Sequence, residues 1–413
     1  MSSEQLDSRT SWNAAWLTLA ILSVTYGSPL VIVVGLKTMQ ADLGTGRSLL
    51  ALAGALVWVG TGAGGIFMGW LADRIGVRAT VTIGAMTIAG GLALSSLGTI
   101  WALYVGHGLM LGLFGNGGVY PPLLVYVSRW FERRRGAAIA LISSGQYVAG
   151  VVWPSIFERG IASIGWQNVM LGYAGVILVL VLPLTLSLKP PPAAPVVPAA
   201  AKNASAGPHA ANRIGGLHPN LVQALICIAG FCCCIPMAVP AAHIVAFCGD
   251  IGISATHGAA MLSVMLGCAF LARQMWGALA DRIGGLRTVM VGSACQATAI
   301  SCFLLTQDEA GLFAVAAAFG LGFSGIIPSY AVAIRELFPA SEASWRIPLT
   351  LFTAMSGMAF GSWFAGKLYD HFAYYAPAFG ISAGFNLLNL VVIGFLVLRI
   401  TGTRRTAEWS AVT

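Results

Sequence analysis

The stretch GWLADRIGVRAT at residues 69–80 returns, nearly unchanged, as GALADRIGGLRT at residues 277–288. The two copies lie 208 positions apart in a chain of 413 residues, so the offset is close to half of the chain. A repeat at this spacing indicates an internal duplication, in which each half of the protein repeats the architecture of the other. Both copies contain one aspartate and two arginines, although only 9% of the chain is charged.

The composition around the repeat indicates a protein that crosses a membrane many times. Hydrophobic residues make up 57% of the chain and its mean hydropathy is +0.82, whereas about a quarter of the residues in a soluble domain are charged. Twelve stretches are apolar and long enough, at about 20 residues each, to cross a bilayer core as helices. We therefore predict an all-α membrane protein with spans at residues 14–36, 48–71, 79–97, 101–127, 136–157, 166–188, 219–247, 256–280, 287–306, 311–334, 346–368 and 376–399.

Basic residues are distributed unequally between the two sides of this predicted bundle. Most of the 22 lysines and arginines fall before the first span, after the last span or in every second loop. Because cytoplasmic loops carry the excess of Lys and Arg, we predict a multi-pass protein of the plasma membrane with both termini in the cytoplasm. This bias accounts for the net charge of +8, so the lipid bilayer is the predicted partner and nucleic acid is not.

A segment rich in proline, alanine and glycine separates the sixth and seventh spans. It predicts a cytoplasmic linker at residues 189–218, between a six-helix N-terminal half at 1–188 and a six-helix C-terminal half at 219–413. Each half places its copy of the repeat between its second and third spans. Repeated six-helix halves are typical of secondary transporters, which bind substrate between the halves near the bilayer midplane.

The pattern G-x-L-A-D-R-x-G-x-R at residues 69–78 resembles the signature loop of the major facilitator superfamily, and twelve spans with a central linker agree with that fold. Within the superfamily, three stretches resemble the monocarboxylate transporters, particularly bacterial members related to oxalate/formate exchangers. They are RWFERRRGAA at 129–138, FLARQMWG at 270–277 and RELFPASEASWR at 335–346. The resemblance implies a monomeric secondary transporter of small organic anions such as lactate or pyruvate, without a cofactor.

The chain departs from the proton-coupled animal members of that family at two places. Ala269 stands where those proteins carry an aspartate, one turn before Arg273. Their acidic motif at the start of span 1 is replaced by SWNAAW at residues 11–16. The resemblance therefore supplies no carboxylate to carry a proton, and proton symport, exchange and uniport all stay open.

Arg273 is the one basic residue predicted to lie deep inside a span rather than at its end. An arginine at this depth costs at least about 2.5–3.5 kcal/mol to insert, whereas all 14 acidic residues fall near span ends or in loops. The planar guanidinium stays charged and binds a carboxylate through two hydrogen bonds. We therefore predict that Arg273 binds an anionic substrate; a structural arginine that extends toward the membrane surface is the alternative.

Polar and aromatic residues at similar depth extend this predicted site. Some of these residues lie on spans 4 and 5. The superfamily resemblance implies that spans 1, 4, 7 and 10 line the central cavity, which adds residues of spans 1 and 10. Packing in the core or against lipid is the alternative for each aromatic residue. The predicted substrate contacts besides Arg273 are Tyr120, Asn116, Gln146, Tyr147, Tyr26, Ser28 and Tyr330.

Two further sets of residues have predicted roles in the transport cycle. His243 near the outer end of span 7, with Asp250 as its partner, is the candidate for proton coupling, because histidine titrates close to physiological pH. The repeated loops are predicted to gate the cytoplasmic side by pairing charges across the halves, since such pairs must separate when the halves rock. The predicted gating residues are Asp73, Arg74, Arg133, Arg134, Asp281 and Arg282.

Other classes of protein find little support in the sequence. A phosphate-binding glycine loop, a set of metal ligands and a pair of intramembrane carboxylates are all missing, which argues against an enzyme. The eight cysteines form no C-x-x-C pair, so they indicate packing rather than metal or redox chemistry. We predict a transporter of small monocarboxylates; the alternatives are a dicarboxylate or oxalate-type exchanger and an exporter of organic acids.

Overall fold

The computed structural model describes residues 6–190 and 213–412, which form helices joined by short loops. Twelve helical segments in this part of the chain are long and apolar enough to cross a membrane, which confirms the twelve predicted spans. Most of the predicted linker at 189–218 lies outside the described residues. Spans 1 to 12 are Arg9–Leu43, Arg47–Ile75, Val77–Ser95, Ile100–Ser128, Arg135–Ile164, Trp166–Leu186, Pro219–Asp250, Ala255–Ile283, Gly285–Leu305, Glu309–Leu337, Trp345–Phe372 and Ala376–Thr401.

The twelve spans give the bundle two distinct ends. Because each span crosses the bundle once, span 1 begins on the same side on which span 12 ends. We call this side the terminal end; it also carries both repeated loops and the loop between spans 4 and 5. The opposite side, the far end, carries the loops that join span 1 to span 2, span 7 to span 8 and span 11 to span 12.

The buried apolar side chains form two clusters, one in spans 1–6 and one in spans 7–12. Tyr147 and Ala246 are exceptions, because each packs in the cluster of the opposite half. The halves meet where span 2 packs against span 11, span 5 against span 8 and span 1 against span 7. Two cores that meet along helix seams can move relative to each other as units.

The two copies of the repeated loop have the same backbone geometry. Span 2 is followed by Gly76 with φ +88° and span 8 by Gly284 with φ +85°, a conformation that favours glycine. In each copy the threonine four residues later donates its hydroxyl to the carbonyl of that glycine, at 3.0 Å for Thr80 and 2.9 Å for Thr288. The duplication indicated by the sequence is therefore present in the fold.

Helix contacts repeat at the same offset. A Cβ added at Gly112 on span 4 would lie 3.0 Å from the Val57 backbone on span 2. A Cβ added at Gly320 on span 10 would lie 2.0 Å from the carbonyl oxygen of Met265 on span 8. Both members of the first pair lie 208 positions before their counterparts. Glycine at these positions lets the helix backbones approach closely, which is how helices pack in a membrane.

Four spans depart from a continuous α-helix within the bundle. Span 1 is interrupted between Thr25 and Leu30, span 5 at Ser144, and span 10 at residues 324–325, while span 4 is a π-helix over Tyr104–Asn116. Interruptions free backbone groups from the helical ladder, so these groups can contact side chains or a ligand. Binding sites in transporters are commonly formed at such discontinuous helices.

Candidate functional site

Arg273 lies in the half of span 8 nearer to the terminal end and is half-buried. Its Nη1 donates to the hydroxyl of Tyr147 on span 5 at 3.2 Å and to the carbonyl of Ser324 at 3.4 Å. Ser324 stands at the interruption of span 10, so the broken helix supplies the second acceptor. Within residues 6–190 and 213–412, Arg273 forms no ion pair with an acidic side chain.

A row of tyrosines leads from Arg273 into the N-terminal half. The Tyr147 ring centre lies 5.4 Å from the guanidinium carbon, and Tyr147 also interacts with Gln146 and Tyr120. Tyr120 donates its hydroxyl to Ser143 Oγ at 3.3 Å, and its ring meets the Tyr26 ring edge-on at 5.9 Å. The structure therefore brings together five of the predicted site residues, which are Arg273, Tyr147, Gln146, Tyr120 and Tyr26.

This arrangement can receive a carboxylate. Both hydrogen bonds of the Arg273 side chain use Nη1 and are long for a charged donor, so among the described residues Nη2 and Nε stay available. A carboxylate would form shorter, charge-assisted bonds of about 2.7–2.9 Å with two of these nitrogens at once. Neighbouring hydroxyls and aromatic faces would then contact the remainder of a small organic acid.

Tyr330, the predicted substrate contact on span 10, lies away from this group in the structure. Its side chain is 1% exposed inside the C-terminal half, and its hydroxyl donates to Asn389 Oδ1 at 3.0 Å. Asn389 in turn donates to Ser293 Oγ at 2.8 Å. A tyrosine hydroxyl in an apolar interior needs a partner, and here span 12 supplies it. Tyr330 therefore belongs to a buried polar cluster between spans 9, 10 and 12.

Asn116 and Ser28 are also held inside one half rather than between the halves. Asn116 is 1% exposed at the end of the π-helical stretch, next to Gly117, where span 4 packs closely on span 2. Ser28 is fully buried at the interruption of span 1, where its hydroxyl donates to the carbonyl of Thr25. Neither side chain hydrogen-bonds to Arg273, so the structure does not bring these two predicted substrate contacts to the group around Arg273.

The substitution Tyr330→Phe is expected to lower thermal stability without changing substrate affinity. It would leave Asn389 Oδ1 without its donor in a buried cluster, which costs about 1–3 kcal/mol. Melting temperature and substrate affinity, measured on the same purified sample, separate the two effects. Tyr120→Phe is the comparison variant, because Tyr120 is part of the candidate site and its loss is expected to lower substrate affinity. A larger loss of affinity in Tyr330→Phe than in Tyr120→Phe would contradict the placement of Tyr330.

At the terminal end, the predicted gating residues do not join the halves. Asp73 is 75% exposed and lies 3.9 Å from Arg129, which belongs to the same half. Arg74 packs over the ring of its neighbour Trp70, with 4.1 Å between the guanidinium carbon and the ring centre. The counterparts of Asp73 and Arg74 in the second copy are exposed and form no ion pair among the described residues; they are Asp281 and Arg282.

Arg133 and Arg134 contact the start of the chain instead of the other half. Their backbone amides donate to the Asp7 carboxylate at 2.9 Å and 3.1 Å. These bonds, the one from Arg133 above all, hold the pKa of the Asp7 carboxyl below its ordinary value. Because the lower pKa belongs to the folded state, the contact stabilises the fold above about pH 4 and is lost as the pH falls further.

The far end, in contrast, is closed by charged contacts between the halves. Arg47 at the start of span 2 forms a two-pronged ion pair with Asp250 at the end of span 7, with Nη2 2.8 Å from Oδ1. The Arg47 guanidinium carbon lies 3.6 Å from the centre of the Tyr369 ring, and the side chain is 2% exposed. Asp370 near the end of span 11 accepts the backbone amides of Arg47 and Ser48 at 2.7 Å and 2.9 Å.

Sequence reasoning missed Arg47 and Asp370. Their one signal is that charged residues of opposite sign occur at far-end loops of opposite halves, with Lys37 and Arg47 in one half and Asp250 and Asp370 in the other. Which of these charges meet depends on how the halves pack, and the sequence does not contain that information.

The predicted pairing of His243 with Asp250 is also corrected. His243 is fully buried, with Nε2 2.8 Å from the carbonyl oxygen of Ser362 and Nδ1 3.0 Å from the hydroxyl of Tyr375. Arg47 Nη1 donates to the same hydroxyl at 3.0 Å. His243 is therefore connected to Asp250 through Tyr375 and Arg47, and the two predicted partners are not in direct contact.

Similarity to known proteins agrees with the fold. A family model described as Major Facilitator Superfamily matches residues 15–243 and 224–411. Solved structures with the same fold include a peptide transporter, POT, in complex with alafosfalin, with a TM-score of 0.71, 16% identity and coverage of 93% of this chain and 95% of the other. The nucleoside transporter NupG has a TM-score of 0.70 at 15% identity, covering 92% and 99%.

Sequence relatives are transporters as well. The MFS-type transporter pynF of Aspergillus niger is 23% identical over 339 residues, which cover 80% of this chain and 75% of the relative. Monocarboxylate transporter 6 of Mus musculus is 26% identical over 176 residues, which cover 42% of this chain and 37% of the relative. In the described part of the chain, no group of three or more His, Cys, Asp or Glu side chains is placed to hold a metal ion. The chain belongs to the Major Facilitator Superfamily and is a multi-pass membrane transporter, not an enzyme.

Proposed function

We propose that the protein moves small organic monocarboxylates, of the size of lactate or pyruvate, across the plasma membrane by alternating access as a monomer. The observation that carries this proposal is Arg273, a half-buried cation in a membrane-spanning helix that has no acidic partner among the described residues. A carboxylate matches the guanidinium in both charge and geometry. The substrate itself then supplies the counter-ion.

Two further observations support one carboxylate rather than two. Arg273 is a single cation, and the neighbours that the structure brings to it are hydroxyls and aromatic rings. Lys367 is exposed near the far end of span 11, whereas an oxalate-type exchanger would need a basic residue in the middle of that span. Among the relatives, the mouse protein is named for monocarboxylates. A dicarboxylate exchanger therefore has less support.

The orientation that we propose places the terminal end in the cytoplasm, because most lysines and arginines lie there. The far end, closed by Arg47, Asp250 and Asp370, then faces the outside, and the conformation is inward-facing. In the outward-facing conformation, the loops that carry Asp73 and Asp281 would close against basic residues of the opposite half. This accounts for gating residues that are exposed and apart in the present conformation.

The coupling ion that we propose is a proton, with His243 as its binding site. His243 is a titratable side chain in a span, and its hydrogen bonds lead through Tyr375 to the contacts that join the halves. Asp250 takes part through its ion pair with Arg47 and not as a direct partner of His243. Proton binding at such a position can be linked to the conformation of the transporter.

A second candidate, an exporter of larger organic acids, is favoured by one observation. A shallow, open apolar depression lies between spans 2 and 11 and is lined by Ala63, Ile66, Phe67, Trp70 and Phe352. Lactate has no large apolar group to cover such a surface, whereas an aromatic or branched acid does. Substrate tests should therefore include both kinds of acid.

Uptake of radiolabelled acids into proteoliposomes tests the proposal. Lactate and pyruvate are expected to enter saturably, and an inward proton gradient is expected to accelerate the uptake. Radiolabelled oxalate and benzoate, assayed in the same way, test the two alternatives. Saturable transport of oxalate or benzoate without transport of lactate or pyruvate would overturn the proposed substrate class. Indifference to the gradient would overturn proton symport and leave exchange or uniport.

A further inference from the structure

In the cluster around Arg47 at the far end, the charges separate by sign between the two halves. Lys37 and Arg47 belong to the N-terminal half, whereas Asp250 and Asp370 belong to the C-terminal half. Among the described residues, both ion pairs that cross between the halves lie in this cluster. Opening the far end must therefore separate opposite charges, which makes these contacts a lock on the closed state.

Arg47 is the centre of this lock. Its Nη atoms bind Asp250, its Nε donates to Gln40 Oε1 at 2.8 Å, and its Nη1 also donates to Tyr375. The side chain is 2% exposed, so these partners replace the water that would otherwise solvate its charge. Removing one partner of a buried charge pair is strongly destabilising. A change in any neighbour of Arg47 is therefore expected to act on the closed far end.

The hydrogen bonds that connect Arg47 to His243 have one consistent set of directions. The Ser362 carbonyl can only accept, so Nε2 of His243 carries a proton and donates to it. Arg47 can only donate, so the Tyr375 oxygen accepts from it. The proton of the Tyr375 hydroxyl is then directed at Nδ1 of His243, which accepts it as a neutral imidazole. The closed far end thus requires an uncharged His243.

We propose that a proton taken up by His243 from outside opens the far end, with Tyr375 and Arg47 as the link to the Arg47–Asp250 ion pair. When Nδ1 binds the proton it becomes a donor, and it faces an oxygen that already accepts from Arg47. The hydroxyl hydrogen of Tyr375 must turn away from the imidazolium, and the imidazolium adds a second positive charge close to Arg47. Both changes weaken the closed arrangement and favour separation of the halves at this end.

The other charged groups around His243 do not replace this link. Arg47 of span 2 and Asp370 of span 11 act on His243 electrostatically, and Asp370 is already occupied by the backbone of span 2. At the far ends of spans 8 and 10, His257 and Glu309 pair with each other, 2.8 Å apart. Lys37 of span 1 binds Asp250 and the carbonyl of Gly249. Tyr375 is the group that contacts both His243 and Arg47.

The inference rests on the proposed orientation and adds a sequence of events to the proposed function. Linkage requires that protonation of His243 shifts the equilibrium toward the open far end by the same factor by which opening raises the proton affinity of His243. His243 is therefore protonated from outside as the far end opens, before a substrate reaches Arg273. The gate requires only that His243 binds and releases a proton on the outside. Whether protons also cross the membrane with the substrate is therefore tested by a separate measurement.

Hydrogen exchange of the full-length protein in lipid nanodiscs tests the gate without a substrate. At one pH near 7, Arg47→Gln and Asp250→Asn are expected to raise exchange in peptides covering residues 40–50 and 246–254 by about threefold or more. His243→Gln keeps a donor for Ser362 and an acceptor for Tyr375 but cannot be charged, so exchange there should stay at or below the wild-type level. Lys367→Gln, which removes an exposed charge from the same end, is the matched control.

The pH dependence supplies the second measurement. The internal and external pH are kept equal and are lowered together from about 8 to about 5.5, the range over which histidine titrates. The uptake rate of the wild-type protein should then rise at least about fivefold. Both His243→Gln and Tyr375→Phe should flatten this response to below about twofold, while Lys367→Gln should keep it. An unchanged pH response in His243→Gln, or unchanged exchange in Arg47→Gln, would overturn the inference.

The two readouts also distinguish this inference from the proposed function. If the exchange results hold but no tested monocarboxylate is transported, the gate stands and the proposed substrate class fails. If lactate is transported but the exchange and pH responses do not follow the variants, the substrate proposal stands and the gate fails. Arg47→Gln could lower the folded yield, so the double variant Arg47→Gln with Asp250→Asn, which leaves no unpaired charge in the ion pair, gives a second test of the same contact.

Discussion

Lactate transport is expected to fall about 10- to 100-fold when Arg273 is replaced by lysine, and to be lost when it is replaced by glutamine. Lysine keeps the positive charge but not the planar fork, so one charge-assisted hydrogen bond, worth about 1.5–3 kcal/mol, is lost. Glutamine removes the charge as well. The lysine variant also loses the contact through which Arg273 Nη1 reaches Tyr147 and Ser324.

The measurement is the initial uptake rate over a range of lactate concentrations, together with binding to the purified protein. The loss should appear in affinity as well as in rate, because the proposed role of Arg273 is to bind the carboxylate. Arg159→Lys is the matched control, since Arg159 is exposed in the N-terminal half. Uptake by Arg273→Lys at the level of Arg159→Lys would show that Arg273 is a structural residue and that the substrate binds elsewhere.

A lower melting temperature, by about 5 °C, is expected for Gly64→Ala. A Cβ at Gly64 would lie 1.9 Å from the carbonyl oxygen of Leu113 on span 4. That oxygen belongs to a helix backbone and cannot rotate away as a flexible side chain would. The contact is reciprocal, because a Cβ at Gly117 would lie 2.8 Å from the backbone of Gly64. The two helices must therefore separate, at a cost of about 1–3 kcal/mol for overpacking.

Thermal unfolding in detergent, followed by the yield of monodisperse protein, measures this effect. Gly54→Ala on the same span is the control, because a Cβ added there meets nothing within 4 Å. Alanine is also the better helix former, so the control should be neutral or slightly stabilising. Equal melting temperatures for the two variants would mean that spans 2 and 4 are not as close as the structure places them.

Much of the fold could be predicted from the sequence, because lipid imposes a simple rule on it. Each span must be apolar and about 20 residues long, so the number of helices can be counted directly. The duplication was visible in the repeated loop, which keeps its glycine and threonine at matching positions such as Gly76 and Gly284. The interruption of span 5 and the π-helix of span 4 were not predicted, since apolar composition does not reveal a local change of hydrogen bonding.

The site was predicted less completely, for two physical reasons. Arg273 could be found because a lone arginine among apolar residues stands out in sequence, and Tyr147 because it lies at a similar depth. Tyr330 lies at a comparable depth but faces Asn389, because depth along an apolar helix does not determine which side of it a residue occupies. Arg47 and Asp370 are 323 positions apart, so their contact depends on the packing of the halves rather than on any local pattern.

The missing acidic partner of Arg273 has an electrical consequence. An empty carrier must change conformation with an uncompensated positive charge inside the membrane, whereas a carrier loaded with one monocarboxylate is neutral at that place. The Arg273 charge therefore makes the return of the empty protein sensitive to the membrane voltage, whereas this side chain and its bound acid add no net charge to the movement of the loaded protein. Unlabelled acid on the opposite side should accelerate efflux of labelled acid, and voltage should affect net flux more than exchange. In this way a single side chain without an acidic partner would couple each conformational change of the carrier to the presence of bound substrate.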